Sequence, residues 1–550
     1  MLLIYNCQKR LLNSRIQHVP HSNKHMRVRS PEVAFFVASL SAAILAATSV
    51  RAEDSKFDWK QASGAKISIA FNQHPYADAI IQQLPKFKEM TGIDVVHEVT
   101  PEENYFDKVT TSLSARSGTP DVFMTGVYQM WDYASSARVE PLDKYLSDPA
   151  LTSADYNAKD IFEGVFNGGK WDLKPGSPTG TGNLYSLPLG FEMYSLAYNK
   201  KYFDEKGIKP PETLDELIEL AKKLKGWNGP GSYGVAVRGT RSWATIHPGY
   251  MSTFSTAGAK DFVIKDGKLV SALDSPEAIA ITAKFAEMIK DGGPPAWSNY
   301  TWYQCGADLG AGRAAILYDA DINGYFQNVP GSTNQSGNIG FSPAPVFKPG
   351  DQPQSNEWVW QLAMNSSSKN KKAAWLFIQY FTGPDFELWA ALKAKTVDPA
   401  RQSIWENQEF KDKIARVPGY EETFKKTIPN TGIKFTPQPY FIQSTTEWAA
   451  TLQKIVLSGA KPESAMKDLA KQISKETSKL KVSQSGEASG APIQRRPSGS
   501  LLLSLRYRAD FDVDRLGKVV GPDIETEHTG WVIIEPRRAV KPGDTIPLRK

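Results

Sequence analysis

The chain has 550 residues, 41% of them hydrophobic and 23% charged, with two cysteines and a formal net charge of +6. Residues 1–52 hold seven Lys/Arg and one acid, and residues 481–550 hold twelve and nine, which leaves 46 basic and 49 acidic residues between them. The excess positive charge therefore belongs to the ends, and the middle has no basic surplus of the kind that marks a nucleic-acid-binding face.

In chain order, the first signal starts at Met26. MRVRS is a basic lead, VAFFVASLSAAILAA an apolar run and Val50-Arg51-Ala52 a small-residue exit. That is the pattern of a secretory signal peptide spanning 26–52 and cleaved after Ala52, and the apolar run is shorter than the roughly 20 residues a spanning helix needs. Residues 1–25 have neither feature and are read as preceding the true start.

More than 400 residues follow, more than one core usually supports, so two lobes are expected. KISIAF (66–71) alternates as a strand. ADAIIQQLPKFKE (77–89) has helical spacing with a kink expected at Pro85, and Thr91-Gly92 stops it before the strand IDVVHEV. Strand, helix, strand is an α/β unit with parallel pairing. Its crossover loop, Asn72-Gln73-His74-Pro75-Tyr76, lies at a strand's carboxyl end, where open parallel sheets place ligands. A helix over 105–114 leads into a strand at 120–124.

Residues 187–203, LPLGFEMYSLAYNKKYF, form an apolar run interrupted by Glu192. An unpaired buried carboxylate costs several kcal/mol or protonates, so Glu192 either ends a strand at a wet cleft or pairs with a neighbour such as Lys200. Further on, Thr213 with Glu216 reads as a capping box, and Leu214, Leu217, Ile218, Ala221 and Leu224 as the buried stripe of the helix it opens. Ser275-Pro276-Glu277 opens another helix, closed by Gly292-Gly293, and two more follow over 371–380 and 462–480. Cys305 is the one cysteine of the middle, so no disulfide can form inside it. From 481 the chain turns Gly/Ser/Pro/Arg-rich, and residues 481–550 are read as a disordered or artefactual tail.

Five segments, TGIDVVHEV, SGTPDVFM, YSLPLGFEMYSLAYNKKYFDEKGIKPPETLDELIELAKKLK, AGRAAILYDADI with NIGFSPAPVFKPG, and AMNSSSKNKKAAWLFIQYFTGPDFELWA, together resemble the family 1 extracellular solute-binding proteins of bacterial ABC importers. The resemblance implies a type II-like periplasmic binding protein fold: two α/β lobes, joined by hinge strands, that close on a ligand. Lobe 1 would hold residues 66–189 and 346–397, and lobe 2 residues 192–342 and 400–480. It implies a monomeric periplasmic receptor that carries a carbohydrate to an inner-membrane ABC permease, without cofactor, metal or catalysis.

Sugars offer an apolar ring face and a rim of hydroxyls, which call for flat aromatic surfaces and polar side chains. Candidate ligand contacts are Gln73 and His74 in the first crossover loop; Tyr128 and Trp131 after the 120–124 strand; Glu192; Arg238 and Trp243 after GVAV; Trp302; Asp319 and Asp321 in LYDADI; and Glu357 with Trp358. Alternation would put Asp319 and Asp321 on one side of a strand end. Asp-Ala-Asp is similar to the Asp-Ala-Thr of polyol receptors and departs from the aromatic of maltose-type members, which points to a monosaccharide, disaccharide or sugar alcohol. Two alternatives stay open: a glycosidase using Glu192 with Asp319 or Asp321, and a receptor for a non-sugar solute or a different membrane partner.

Overall fold

The computed structural model describes residues 57–482; the predicted export signal and all but the first two residues of the predicted tail lie outside them. The described residues build a nine-stranded mixed sheet: β1 (Lys66–Asn72), β2 (Asp94–Thr100), β3 (Val122–Gly126), β4 (Ser186–Asn199), β5 (Tyr233–Ala236), β6 (Ala314–Ala320), β7 (Ile339–Pro343), β8 (Ser355–Met364) and β9 (Thr431–Gly432). The order is β2-β1-β3-β8-β4-β6-β5, with β7 also on β4 and β9 on β8.

The helices that frame the site are α1 (Pro75–Thr91), α2 (Glu102–Ser114), α3 (Val127–Ser135), α4 (Leu214–Lys223), α5 (Pro276–Gly292), α6 (Trp302–Ala311), α7 (Asp321–Asn328), α8 (Tyr420–Thr427) and α9 (Phe441–Ser458). As expected, β1 pairs with β2 in parallel. Helix α1 is longer than the 77–89 pattern: it includes Pro85 and ends on Gly92, whose φ of 71° is left-handed. Helix α2 begins at Glu102, three residues before the apolar spacing shows it. The Thr213–Glu216 capping box is complete at α4, and the whole predicted stripe is buried. The last two predicted helices are Lys371–Phe381 and Pro462–Thr477.

Strand β4 decides the architecture. Its first half pairs antiparallel with β8, from Ser186 opposite Ala363 to Met193 opposite Glu357. From Tyr194 to Asn199 it runs instead between β6 and β7. One 14-residue strand thus serves two sheet neighbourhoods, and all of it but Tyr198 is buried. A strand covered on both faces reads as a continuous apolar run rather than an alternation, which is the pattern of residues 187–198.

Candidate functional site

The point where β4 changes neighbours borders a narrow cavity. It shares Glu102, Arg238, Trp243 and Trp302 with a wider cleft of about 1000 Å³, and so forms the inner end of that cleft.

One wall comes from β4 and β8. Trp358 lies opposite Glu192 in the ladder, and Trp360 follows two residues on, so pleating brings both indoles and the carboxylate to one face. Trp360 Nε1 donates to Glu192 Oε1 at 2.8 Å. His74 Nε2 stands 3.7 Å from the same oxygen. The ring of His74 is fixed from behind, because it is the N-cap of α1 and its Nδ1 accepts from the Tyr76 N–H at 3.2 Å. With Nδ1 an acceptor, the imidazole proton sits on Nε2, towards Glu192. Lys200 is not the partner of Glu192; it pairs with Asp204.

The opposite wall comes from β5 and β6. Ala236 faces Leu317 in their parallel ladder, so two residues on Arg238 meets Asp319. Arg238 Nε and Nη2 donate to Asp319 Oδ2 and Oδ1 at 2.8 and 2.6 Å, and both residues are buried. Burial pulls the guanidinium pKa down, but the Asp319 carboxylate more than offsets it and leaves Arg238 above its ordinary value. Arg238 Nη1 also approaches the Ala244 carbonyl at 3.4 Å and His247 Nε2 at 3.2 Å. Burial, then Arg238, hold His247 well below the usual histidine range, so it is neutral. Since the guanidinium only donates, Nε2 accepts, and the His247 proton lies on Nδ1, 2.5 Å from the Tyr194 hydroxyl.

Aromatic surface fills the space between. Trp243 stacks on Trp358 at 5.0 Å and on His247 at 5.1 Å. Phe106 stacks on Trp360, and Trp302 and Phe326 flank His74. Gly126 makes this possible, because a Cβ there would stand 1.9 Å from Trp358 Cη2. Glu102, the first residue of α2, completes the rim. Burial pushes its carboxyl up to about 7, against the pull of Arg238. Three polar atoms on lining residues, Trp302 Nε1, Asn323 Oδ1 and Trp358 Nε1, have no partner within the described residues.

Of the twelve candidate contacts, the structure gathers His74, Glu192, Arg238, Trp243, Trp302 and Trp358 around the cavity. The other six do not line it. The Gln73 carbonyl accepts from the Tyr303 hydroxyl, and its side chain is exposed. The Tyr128 hydroxyl is buried between Glu357 O and Asn356 Nδ2, and Trp131 packs in the core on Tyr128 and Phe441 of α9. Glu357 is buried in β8, with its carboxyl raised to about 7 by burial against the opposing Lys434. Asp319 lies behind Arg238 and is engaged by it.

Asp321 and Asp319 do not share a strand side, because β6 ends at Ala320 and Asp321 is already the first residue of α7. Asp321 accepts from the Met193 N–H of β4 at 3.2 Å. There it meets the Tyr420 hydroxyl and Asp398, and burial raises both carboxyls. Of the three carboxylates weighed for a glycosidase, Glu192 alone lines the cavity; Asp319 is taken up by Arg238 and Asp321 by the Met193 N–H. Glu102, His247, Ala320, Ile322, Asn323, Phe326 and Trp360 also line the cavity and were not among the candidate contacts. Glu102 looks like an ordinary first-turn acid, and His247 carries no local motif. Trp360 alone had a signal, as the second indole on one strand face.

A two-halved α/β sheet with a polar and aromatic cavity at the shared strand is the architecture of periplasmic ligand-binding proteins. Two crystal structures share the fold: a solute-binding protein of an ABC transporter from Agrobacterium radiobacter K84 in complex with ribitol (TM-score 0.66, 22% identity, 76% of this chain and 99% of that one), and one from Agrobacterium vitis S4 with bound D-mannitol (TM-score 0.64, 24% identity, 76% and 99%). An erythritol/L-threitol-binding protein from Mycolicibacterium smegmatis is 41% identical over 416 residues, 76% of this chain and 86% of the relative. Residues 72–387 match the family model described as bacterial extracellular solute-binding protein, and the chain belongs to that family.

Proposed function

We propose that the protein is the exported receptor of an ABC importer for an acyclic sugar alcohol of about four to six carbons, which it binds without turning over. The observation that carries this is the cavity itself. Its narrow lining of indoles and polar side chains suits one small solute rather than an oligosaccharide. Its indoles offer flat surface for carbon–hydrogen faces, while Glu192, Glu102, Arg238, His74 and Asn323 supply donors and acceptors for hydroxyls. A relative named for binding erythritol and L-threitol, and fold neighbours solved with ribitol and D-mannitol, support the same class.

In this reading, residues 26–52 direct export to the periplasm. Lobe 1 comprises residues 66–189 with 346–397, and lobe 2 residues 192–342 with 400–480. They turn about β4 and β8 to close on the ligand, and the permease reads the closed form. The test is thermal melting of the purified protein with erythritol, threitol, ribitol, mannitol and maltose. A ligand at 100 times its Kd stabilises by about 2.7 kcal/mol. A shift with a polyol recovered intact supports the reading, and no shift with any of the five overturns it.

A further inference from the structure

We infer that this cleft discriminates against anionic sugars, taking a polyol and refusing the sugar acid of the same chain length, and that Glu102 is a specificity-determining residue for that choice. The inference rests on the receptor reading above and adds what the site rejects.

A carboxylate ligand wants a free cation, best an arginine presenting two parallel N–H groups. Arg238 is the cation that borders the cavity, and its guanidinium has five N–H groups. Nε and one Nη2 proton go to Asp319, and the two Nη1 protons face Ala244 O and His247 Nε2. One Nη2 proton is left, which suits a single hydroxyl and not a carboxylate fork. The second arginine, Arg241, lines only the outer cleft, where one of its N–H groups donates to Glu447 at 2.9 Å.

The remaining charge is negative. Glu192 and Glu102 line the inner cavity, and Glu103 and Asp107 line the approach. The groups that face Glu102 are Arg238, already neutralised by Asp319, together with Glu192, Glu103 and Tyr303. His74 lines the cavity as well, with its Nε2 beside Glu192. Glu102 lines both the narrow cavity and the wider cleft, beside Arg238, Trp243 and Trp302. Low-dielectric walls focus such a field, and an anion pays for it both in approach and in the bound state.

Glu102 also makes the discrimination depend on pH. Its carboxyl is raised to about 7 by burial, so it gains charge as pH rises through neutrality. A sugar acid stays ionised throughout, so refusal strengthens between pH 6 and 8 while the neutral polyol is less affected.

The experiment is calorimetric titration of the full protein with two matched pairs, erythritol with erythronate and ribitol with ribonate, at pH 6, 7 and 8 and low salt, for wild type and Glu102→Gln. The expected result is that wild type prefers the polyol by on the order of tenfold or more. The preference should widen with pH in wild type, and should shrink and lose its pH dependence in Glu102→Gln. The wild-type pH series tests the inference even if the variant does not fold. A sugar acid bound as tightly as its polyol overturns it, and so does a preference that Glu102→Gln and pH both leave unchanged. If neither polyols nor sugar acids bind wild type, the receptor reading itself falls, an outcome distinct from equal binding of the two.

Discussion

Replacing Asp319 by alanine tests whether the Arg238 side chain is aimed by its partner. The carboxylate receives two charged hydrogen bonds, at 2.8 and 2.6 Å, in a site where Asp319 is 1% and Arg238 7% exposed. Removing one member of a buried pair costs about 3–5 kcal/mol, because the other charge stays behind unpaired. Arg238 borders the cavity, where water reaches it, so we expect the lower end, about 3 kcal/mol. Urea unfolding followed by circular dichroism should show a lower midpoint with an unchanged slope. Polyol affinity should fall by tenfold or more, since the freed guanidinium loses its orientation, and ribonate should gain as ribitol loses. The double variant Arg238→Met/Asp319→Leu removes both charges and should recover stability without recovering binding. A stability loss under about 1 kcal/mol, the scale of an exposed pair, would refute the reasoning.

Gly126→Ala places a methyl group 1.9 Å from Trp358 Cη2, inside a rigid ring that must then move. Overpacking of this kind costs about 1–3 kcal/mol, and the cavity wall shifts with it, so melting temperature and polyol affinity should drop together; no change in either would place the indole elsewhere. The Asp321–Asp398 pair makes a pH prediction. Burial raises both carboxyls in the folded protein, so the native state holds protons that the unfolded state has released, and their contribution is present below the ordinary carboxylate range of about 4 and lost as pH rises towards neutrality. Asp398→Asn keeps an acceptor for Tyr420 while removing one titrating group, so its unfolding free energy should fall less steeply than that of wild type between pH 4.5 and 7.5; parallel profiles would mean the pair does not share its proton.

Much of the fold was legible because local rules and tertiary packing agree. The β1–α1–β2 unit, the Thr213 capping box and the α4 stripe need only a few neighbouring residues to be recognised, and each is where the sequence puts it. Glu192 was legible for the opposite reason: a carboxylate in an apolar strand contradicts its surroundings, and it lies in the cavity lining beside Trp360 and His74. What was not legible depends on contacts distant in sequence. Tyr128 and Trp131 sit beside a strand end as a site aromatic would, yet Phe441, some three hundred residues on, closes over both. Asp319 and Asp321 differ by two positions and face different places, because the helix start between them breaks the period-two geometry on which the pairing relied. Glu102 becomes unusual only once Asn72, Arg238 and Glu192 stand around it.

Strand β4 changes partners between Met193 and Tyr194, and Glu192 lies one residue before that changeover. In the closure proposed above, with the halves turning about this strand, Glu192 would be at the fulcrum, where the lever arm is shortest and displacement smallest. Arg238 and Trp302 on one side and Glu102 on the other sit farther out and sweep a wider arc. A solute docked first on Glu192 would keep that contact through the whole stroke, so the energy difference between open and closed forms must come from the outer groups. Substitutions at the fulcrum would then weaken both forms alike, whereas substitutions at the rim would change how far the equilibrium leans.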